Sequence, residues 1–256
     1  MPRGAVAAGP RVLLMNRVRI RLRFRKRDDL RWISHHDLAR TCERWLRRAG
    51  LPLRRSEGFH PKPKLSFPSA LALGIAALDE VLEFELTESV SADRLRQCLD
   101  RTALPGLEVA DLQVLGPAEG KAQVQRFTYE LPVPSACGQP LAEQIARLQA
   151  PAPYWYRRAG SDQPVDLKAG LDQLEFRDGK LRFRLAADQP RSARVREVLE
   201  ALGVAGLESD GCCLTRIRVE LAAPPHNSNE ERRKQSHEEG NVDQCLAAGR
   251  MPDCDH

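Results

Sequence analysis

The sequence lacks the cysteine patterns on which metal centres and disulfide-bonded scaffolds depend. Its seven cysteines are an odd number without a CxxC pair or a cluster of three, and Cys212 and Cys213 are neighbours. This pattern disfavours a disulfide framework and an iron–sulfur centre, and it fits a reducing compartment. A P-loop and a dinucleotide-binding fingerprint are also missing. We therefore predict a cytoplasmic protein that uses no metal and no cofactor.

Long apolar runs are scarce as well. The first residues are small and apolar, but Pro10 and Arg11 interrupt them before a continuous apolar segment forms. We expect neither a signal peptide nor a membrane-spanning helix. We interpret residues 1–16 as a disordered extension, with Met1 or Met15 as the start. Residues 223–256 are polar and almost without apolar periodicity, which predicts a disordered tail.

Positive charge is abundant near the start of the chain. The formal net charge is +5 at pH 7. Between Arg17 and Lys64 there are sixteen Lys and Arg against five Asp and Glu, whereas between Leu65 and Gly116 there are three against nine. The concentration of cations in one segment favours a polyanionic partner.

Strict alternation from Val18 to Phe24 predicts a β-strand with an apolar side and a basic side. The basic side carries four residues that we call the arginine row: Arg19, Arg21, Arg23 and Arg25. A helix from Ser34 to about Ala49 follows, and its outer face carries Arg40, Arg44, Arg47 and Arg48. We predict that these guanidinium groups neutralise RNA phosphates and stack on bases. The alternative is a charge ladder with Glu83 and Glu85 of a neighbouring strand, but two glutamates are too few to balance the row.

The predicted elements follow the order strand, helix, strand, strand, helix, strand. After the first strand and helix, we expect strands at 51–55 and 81–86, a helix at 91–99 and a strand at 107–115. Residues 116–123 form the predicted linker, and a looser copy of the same order follows, with a hairpin at Asp178 and Gly179. The fold class is therefore predicted as α+β, with tandem ferredoxin-like (βαββαβ) halves at 17–116 and 124–222 and antiparallel sheets.

Two further groups of residues are candidates for function. His35 and His36 stand at the start of the first helix, where they can bind an anion, transfer protons in metal-free RNA cleavage, or simply complete a helix cap. The loop 56–67 carries a group that suits a nucleic-acid strand: Phe59, His60, Lys62 and Lys64. Phe59 can stack on a base or plug the core.

The segment RWISHHDLARTCERWLRRAGLPLRRSEGFHPKPKLSFPSALALGI, together with LPGLEV and, more faintly, VDLKAGLDQLEFRDGKLRFRL and LTRIRVEL, resembles the radical-SAM-linked domain of unknown function. The resemblance implies an accessory piece that is joined to, or encoded beside, cobalamin-binding radical SAM proteins and sometimes E/G-type ribonucleases. The family motif usually has a histidine between the two prolines, where this chain has Lys62. The architecture is also similar to that of the tandem ferredoxin-like endoribonucleases that process CRISPR repeat RNA.

Three functions are compatible with these residues. The first is an RNA-binding accessory protein that presents RNA to a radical SAM protein or an E/G-type ribonuclease. We expect no membrane as a partner. The second is a metal-independent endoribonuclease that uses His35 or His36. The third is a protein-interaction module whose basic sheet docks an acidic partner without nucleic acid.

Overall fold

A computed structural model describes residues 17–117, 119–160, 163–187 and 193–223. The expected extension at 1–16 and the tail beyond residue 223 lie outside the described residues. The first half contains, in chain order, β1 (Val18–Lys26), α1 (His35–Arg48), β2 (Leu65–Ser66), β3 (Ala76–Leu86), α2 (Ala92–Asp100) and β4 (Leu107–Leu115). A short 3-10 helix, Asp28–Trp32, links the first strand to the first helix.

The second half begins directly after the linker. Its elements are β5 (Val124–Pro132), α3 (Gly138–Gln149), β6 (Trp155–Tyr156), β7 (Val165–Asp166), β8 (Leu171–Arg177), β9 (Lys180–Ala186), α4 (Val195–Ala201) and β10 (Thr215–Leu221). Short 3-10 helices lie at Ser135–Cys137 and Ala205–Glu208. The predicted hairpin at Asp178 and Gly179 is confirmed, because both residues have the positive φ angles, 51° and 70°, that a two-residue hairpin turn requires.

One sheet of eight strands runs through both halves. Its order is β4-β1-β3-β10-β5-β9-β8, with β2 paired to β3. All pairings in this sheet are antiparallel except β3 with β10, which is a short parallel contact through Ala76 and Ala77 with Thr215 and Arg216. The prediction of an α+β protein with a mostly antiparallel sheet is confirmed.

Helices α1 and α2 pack on the same face of the first half of the sheet. Trp45 of α1 is fully buried, and its Nε1 donates a hydrogen bond of 3.0 Å to the Leu99 carbonyl of α2. Phe24 and Leu82 contribute to the same core from β1 and β3. The apolar side of the predicted alternation thus faces the helices, and the arginine row lies on the opposite face of β1.

Local capping signals locate both helices of the first half. The Ser34 hydroxyl accepts the backbone N–H of Asp37 at 3.1 Å, and the Ser91 hydroxyl accepts that of Arg94 at 3.3 Å. Gly50, with a φ angle of 66°, follows the end of α1. Both helices therefore begin and end within about two residues of the predicted positions.

The second strand of the first half does not lie where the sequence predicts it. The segment 51–55 forms only isolated bridges, Leu53 with Leu86 and Arg55 with Pro63, because Pro52 has no N–H to donate to a ladder. The strand that pairs with β3 is instead the two-residue β2, within the segment that the sequence predicts as a loop.

Candidate nucleic-acid interface

The arginine row is paired with carboxylates from the neighbouring strand. Arg21 donates to the Glu83 carboxylate at 3.0 and 2.7 Å, and Arg19 reaches the second oxygen of the same group at 3.1 Å. Arg23 contacts both oxygens of Asp79 at 2.6 and 2.7 Å. The side chains of Arg21 and Glu83 are only 15% and 6% exposed. The expectation of an open guanidinium surface is therefore corrected for these three arginines.

The linker covers part of the same face. The Arg19 guanidinium donates to the carbonyl oxygens of Glu119 and, at 3.0 Å, Gly120. The backbone N–H of Ala122 donates to the Glu83 carboxylate at 3.2 Å. Counting only Glu83 and Glu85 on the strand misses Asp79 and these linker carbonyls, which is why the sequence predicts an excess of free arginines.

The end of the row is more exposed. Arg25 pairs with Glu108 of β4 at 3.2 Å, and Arg27 contacts the same carboxylate. These guanidinium groups lower the pKa of Glu108, with the Arg27 hydrogen bond as the main cause. Such an exposed cluster contributes little to stability.

The arginines of the α1 outer face are exposed and weakly paired. Arg40 lies 3.7 Å from Asp37 with its side chain 76% exposed, and Arg47 lies 3.7 Å from Glu43. Arg44 donates to the Thr41 hydroxyl at 3.3 Å. Their position on this face is as predicted, and a role in RNA binding stays a prediction.

The two histidines at the start of α1 have different surroundings. The ring of His35 packs edge-on against Phe67 with centroids 5.3 Å apart, and its buried Nδ1 has no hydrogen-bond partner among the described residues. Burial, followed by His36, Arg216 and Lys26, lowers the pKa of His35. His36 is exposed, with its ring centroid 6.3 Å from that of His35. His60 lies on a separate, exposed segment.

The lowered pKa of His35 makes folding sensitive to acid. The folded protein keeps His35 neutral at pH values where the unfolded chain, with a pKa of 6.5, already binds a proton. Stability from this site is complete above about pH 6.5 and is lost as the pH falls through the lower pKa of the folded state. We expect His35→Leu to flatten the loss of stability between about pH 8 and pH 5 in urea titrations. His36→Gln is the control, and equal pH dependence in wild type and His35→Leu would contradict the assignment.

Residues 54–64 form a hairpin that projects from the edge of β3, called here the 54–64 hairpin. The backbone N–H of Ser56 donates to the Lys62 carbonyl at 2.8 Å, and that of Lys64 donates to the Arg54 carbonyl at 2.9 Å. At its base, Arg54 and Lys64 exchange backbone hydrogen bonds with Glu85 at 2.8 and 3.2 Å. The hairpin is thus attached to the sheet by main-chain contacts that do not depend on its side chains.

The tip of the 54–64 hairpin presents an aromatic ring to solvent. Phe59 is fully exposed, at 101% of its reference area, so the alternative that it plugs the core is wrong. Gly58 before it has a φ of 124°, a conformation that favours glycine. Arg55 and Lys62 are exposed, Lys64 is half-buried, and none of the three forms an ion pair with another described residue. Phe59, His60, Lys62 and Lys64 are therefore brought onto one hairpin.

A buried ionic pair at the junction of the two halves was not foreseen from the sequence. Arg216 of β10 forms a bidentate contact with Glu80 of β3 at 2.6 and 2.5 Å, and both residues are 1% exposed. Lys26 of β1 is also buried, and its Nζ lies 3.3 Å from the Ile33 carbonyl. Burial lowers the pKa of Lys26, and Glu80 partly opposes this effect. In the alternation of their strands, Lys26 and Glu80 occupy positions on the same side as the buried apolar residues. This placement could have predicted from the sequence that both charged side chains are buried.

Metal and membrane features have no candidate in the described part of the chain. No group of three His, Cys, Asp or Glu side chains is arranged to hold a metal ion there. Within the same residues, every helix is too short or too polar to cross a lipid bilayer.

The protein is thus an α+β protein with a paired arginine row and a basic hairpin, and these features can be set beside known proteins. The model of one family, described as "Uncharacterized protein conserved in bacteria (DUF2344)", matches residues 19–199, and the chain therefore belongs to that family. No curated protein matches the chain. Among solved structures, the chain is similar to an unknown protein from Galdieria sulphuraria, with 11% identity over 81% of this chain and 100% of that chain and a TM-score of 0.25.

Proposed function

We propose that the protein is an RNA-binding accessory protein and that the 54–64 hairpin is its principal contact with RNA. The observation that carries the proposal is the fully exposed Phe59 ring on the same hairpin as Arg55 and Lys62, which lack carboxylate partners among the described residues. Every base has a π-face that can stack on such a ring, and neighbouring cations can contact the phosphates. The arginines of the row already form ion pairs with carboxylates of the protein itself, and the row takes a structural role instead.

The strand order supports the interpretation of the fold as two ferredoxin-like halves. In the first half the order is β4-β1-β3-β2, and in the second it is β10-β5-β9-β8. Each half therefore has its last strand beside its first, with the third strand on the other side of the first. Because the linker covers part of the helix-free face, the 54–64 hairpin is the part of the first half that we propose for a partner.

The proposal extends to a partner. The sequence resembles a domain that accompanies cobalamin-binding radical SAM proteins and E/G-type ribonucleases, so the RNA is proposed to be the substrate of such an enzyme in the cytoplasm. Affinity purification of the tagged chain, with and without RNase treatment, tests this part. Recovery of the enzyme partner only in the untreated sample is expected, whereas recovery in both samples without RNA crosslinks favours a protein-interaction module.

A second candidate, metal-independent RNA cleavage, has one supporting observation. His35 and His36 place two imidazole rings, a common acid–base group for metal-free cleavage, 6.3 Å apart at the start of α1, and His36 is exposed. Structured RNA incubated with the protein in EDTA decides the matter. Cleavage that disappears in the double variant His35→Ala with His36→Ala supports this activity, and equal cleavage by the variant or none by the wild type excludes it.

Phe59→Ala is expected to weaken RNA binding by about 1–3 kcal/mol, which is roughly 5- to 150-fold in Kd. The variant removes a stacking surface without touching the core, so stability should not change. Fluorescence anisotropy with a short, unstructured, labelled RNA measures the effect. Phe59→Trp should retain binding, and Val114→Ala, at a half-exposed apolar position on β4, is the control. An unchanged Kd for Phe59→Ala would remove the basis of the proposal.

A further inference from the structure

A cleft of about 370 Å³ lies at the base of the 54–64 hairpin and is lined by residues of β1, β2, β3 and the linker. Its walls come from segments that are distant in the sequence and include four cationic side chains: Arg17, Arg19, Lys64 and Lys121. Two carboxylates, Glu83 and Glu85, also line it. Arg17 and Lys121 were not singled out from the sequence, because only the fold brings them beside β2.

Each carboxylate of the cleft is already shared by two guanidinium groups. Glu83 accepts from Arg19 and Arg21, as described above. Glu85 lies 2.6 Å from Arg17 and 3.2 Å from Arg54. Arg21 also lies 4.0 Å from the carboxylate of Glu119, so four arginines face three glutamates around the cleft, and the two lysines add most of its net positive charge.

The two lysines are left for a ligand. Lys64 and Lys121 form no ion pair with any residue in the described ranges. They come from segments that are distant in the sequence, one from the base of the hairpin and one from the linker. Two ammonium groups beside bound guanidinium groups, in a concave site, form a receptor for a multiply charged oxyanion.

We infer that this cleft binds a phosphate group. Resting on the proposed function, we further assign this group to the backbone of the RNA strand whose base stacks on Phe59. Lys64 follows Phe59 by five residues, a span of at most about 17 Å along an extended chain. One strand can therefore contact the hairpin tip and the cleft together.

The phosphate site is tested without RNA. Uniformly ¹⁵N-labelled protein is titrated with sodium pyrophosphate at constant ionic strength, and amide shifts are followed by NMR. We expect saturable shifts at Ser66, Glu85 and Lys121, and their loss in the double variant Lys64→Gln with Lys121→Gln. Arg147→Gln with Arg177→Gln removes the same charge from exposed positions of the second half that form no ion pair with another described residue, and should keep the shifts. Shifts that do not saturate, or that persist in the lysine variant, would overturn the site.

The RNA assignment has its own measurement. For single-stranded RNA, losing the one phosphate that the cleft binds is expected to reduce the slope of log Kd against log salt by about 0.7. The double lysine variant should show this reduction, and the double arginine control should not. If pyrophosphate binds but the slope is unchanged, the site belongs to a small phosphorylated ligand and the RNA assignment is wrong. If the wild type binds pyrophosphate but no RNA, the proposed function fails while the phosphate site stands.

Discussion

Replacing Arg216 by alanine is expected to lower the free energy of unfolding by about 3–5 kcal/mol. The substitution removes a guanidinium group that makes two short contacts with Glu80 and lies 3.3 Å from the Ala70 carbonyl. It leaves the Glu80 carboxylate buried without its main cationic partner, and an unpaired buried charge is among the most destabilising changes in a protein. The stacking of Arg216 on the Phe127 ring, at 4.5 Å, is lost as well.

A double-mutant cycle separates the lost pair from the lost packing. Arg216→Met and Glu80→Leu are made singly and together, and stability is measured by urea denaturation. The double variant should be more stable than Arg216→Met alone, because it no longer buries an unpaired carboxylate. Arg182→Ala breaks a half-exposed pair with Glu130, and should cost no more than about 1 kcal/mol. Equal losses for Arg182→Ala and Arg216→Ala would contradict this account.

The position of the pair explains why its effect should reach the whole sheet. β3 and β10 share only two register pairs, and Arg216 belongs to one of them. This short parallel contact connects the strands of the first half to those of the second. The Arg216–Glu80 contact therefore adds a specific, directional link where the ladder itself is short. We expect hydrogen exchange at β10 amides to accelerate more than at β1 in Arg216→Ala.

Elements with local signals were predictable from the sequence. The positions of α1 and α2 follow from the side chains of Ser34 and Ser91, which act on residues three positions away. The position of β1 along the chain follows from its alternation, and the hairpin of β8 and β9 follows from the Asp178–Gly179 turn. In each case the determining contact lies within a few residues.

The partners of charged side chains were not predictable, because they depend on contacts between distant segments. Arg23 pairs with Asp79 across 56 residues, and Arg216 pairs with Glu80 across 136. Each of these charges looks available until the register of β1 on β3, or the contact of β3 with β10, is known. The exposed position of Phe59 has the same origin, since only the backbone pairing of its hairpin decides between core and solvent.

The double reversal Arg21→Glu with Arg23→Glu is expected to destabilise the protein by at least about 3 kcal/mol. It places new carboxylates beside Glu83 and Asp79, which are now held by these guanidinium groups at 2.7 and 2.6 Å. It also removes one of the two guanidinium partners of Glu83, a carboxylate that is almost fully buried. Urea denaturation measures the loss, and Arg147→Glu with Arg177→Glu has the same net charge at exposed positions and should stay within about 1 kcal/mol of wild type.

The same pair of variants decides whether the arginine row contacts RNA. If the hairpin is the interface, the row variant should bind RNA with the Kd of the matched control, once the measurement is made where both are folded. Comparison at equal net charge is essential, because each reversal also weakens long-range attraction to any polyanion. If the row variant keeps its stability but binds RNA with a higher Kd than the control, the RNA interface includes the arginine row of β1. That result would mean that RNA phosphates displace Glu83 and Asp79 from the guanidinium groups on binding.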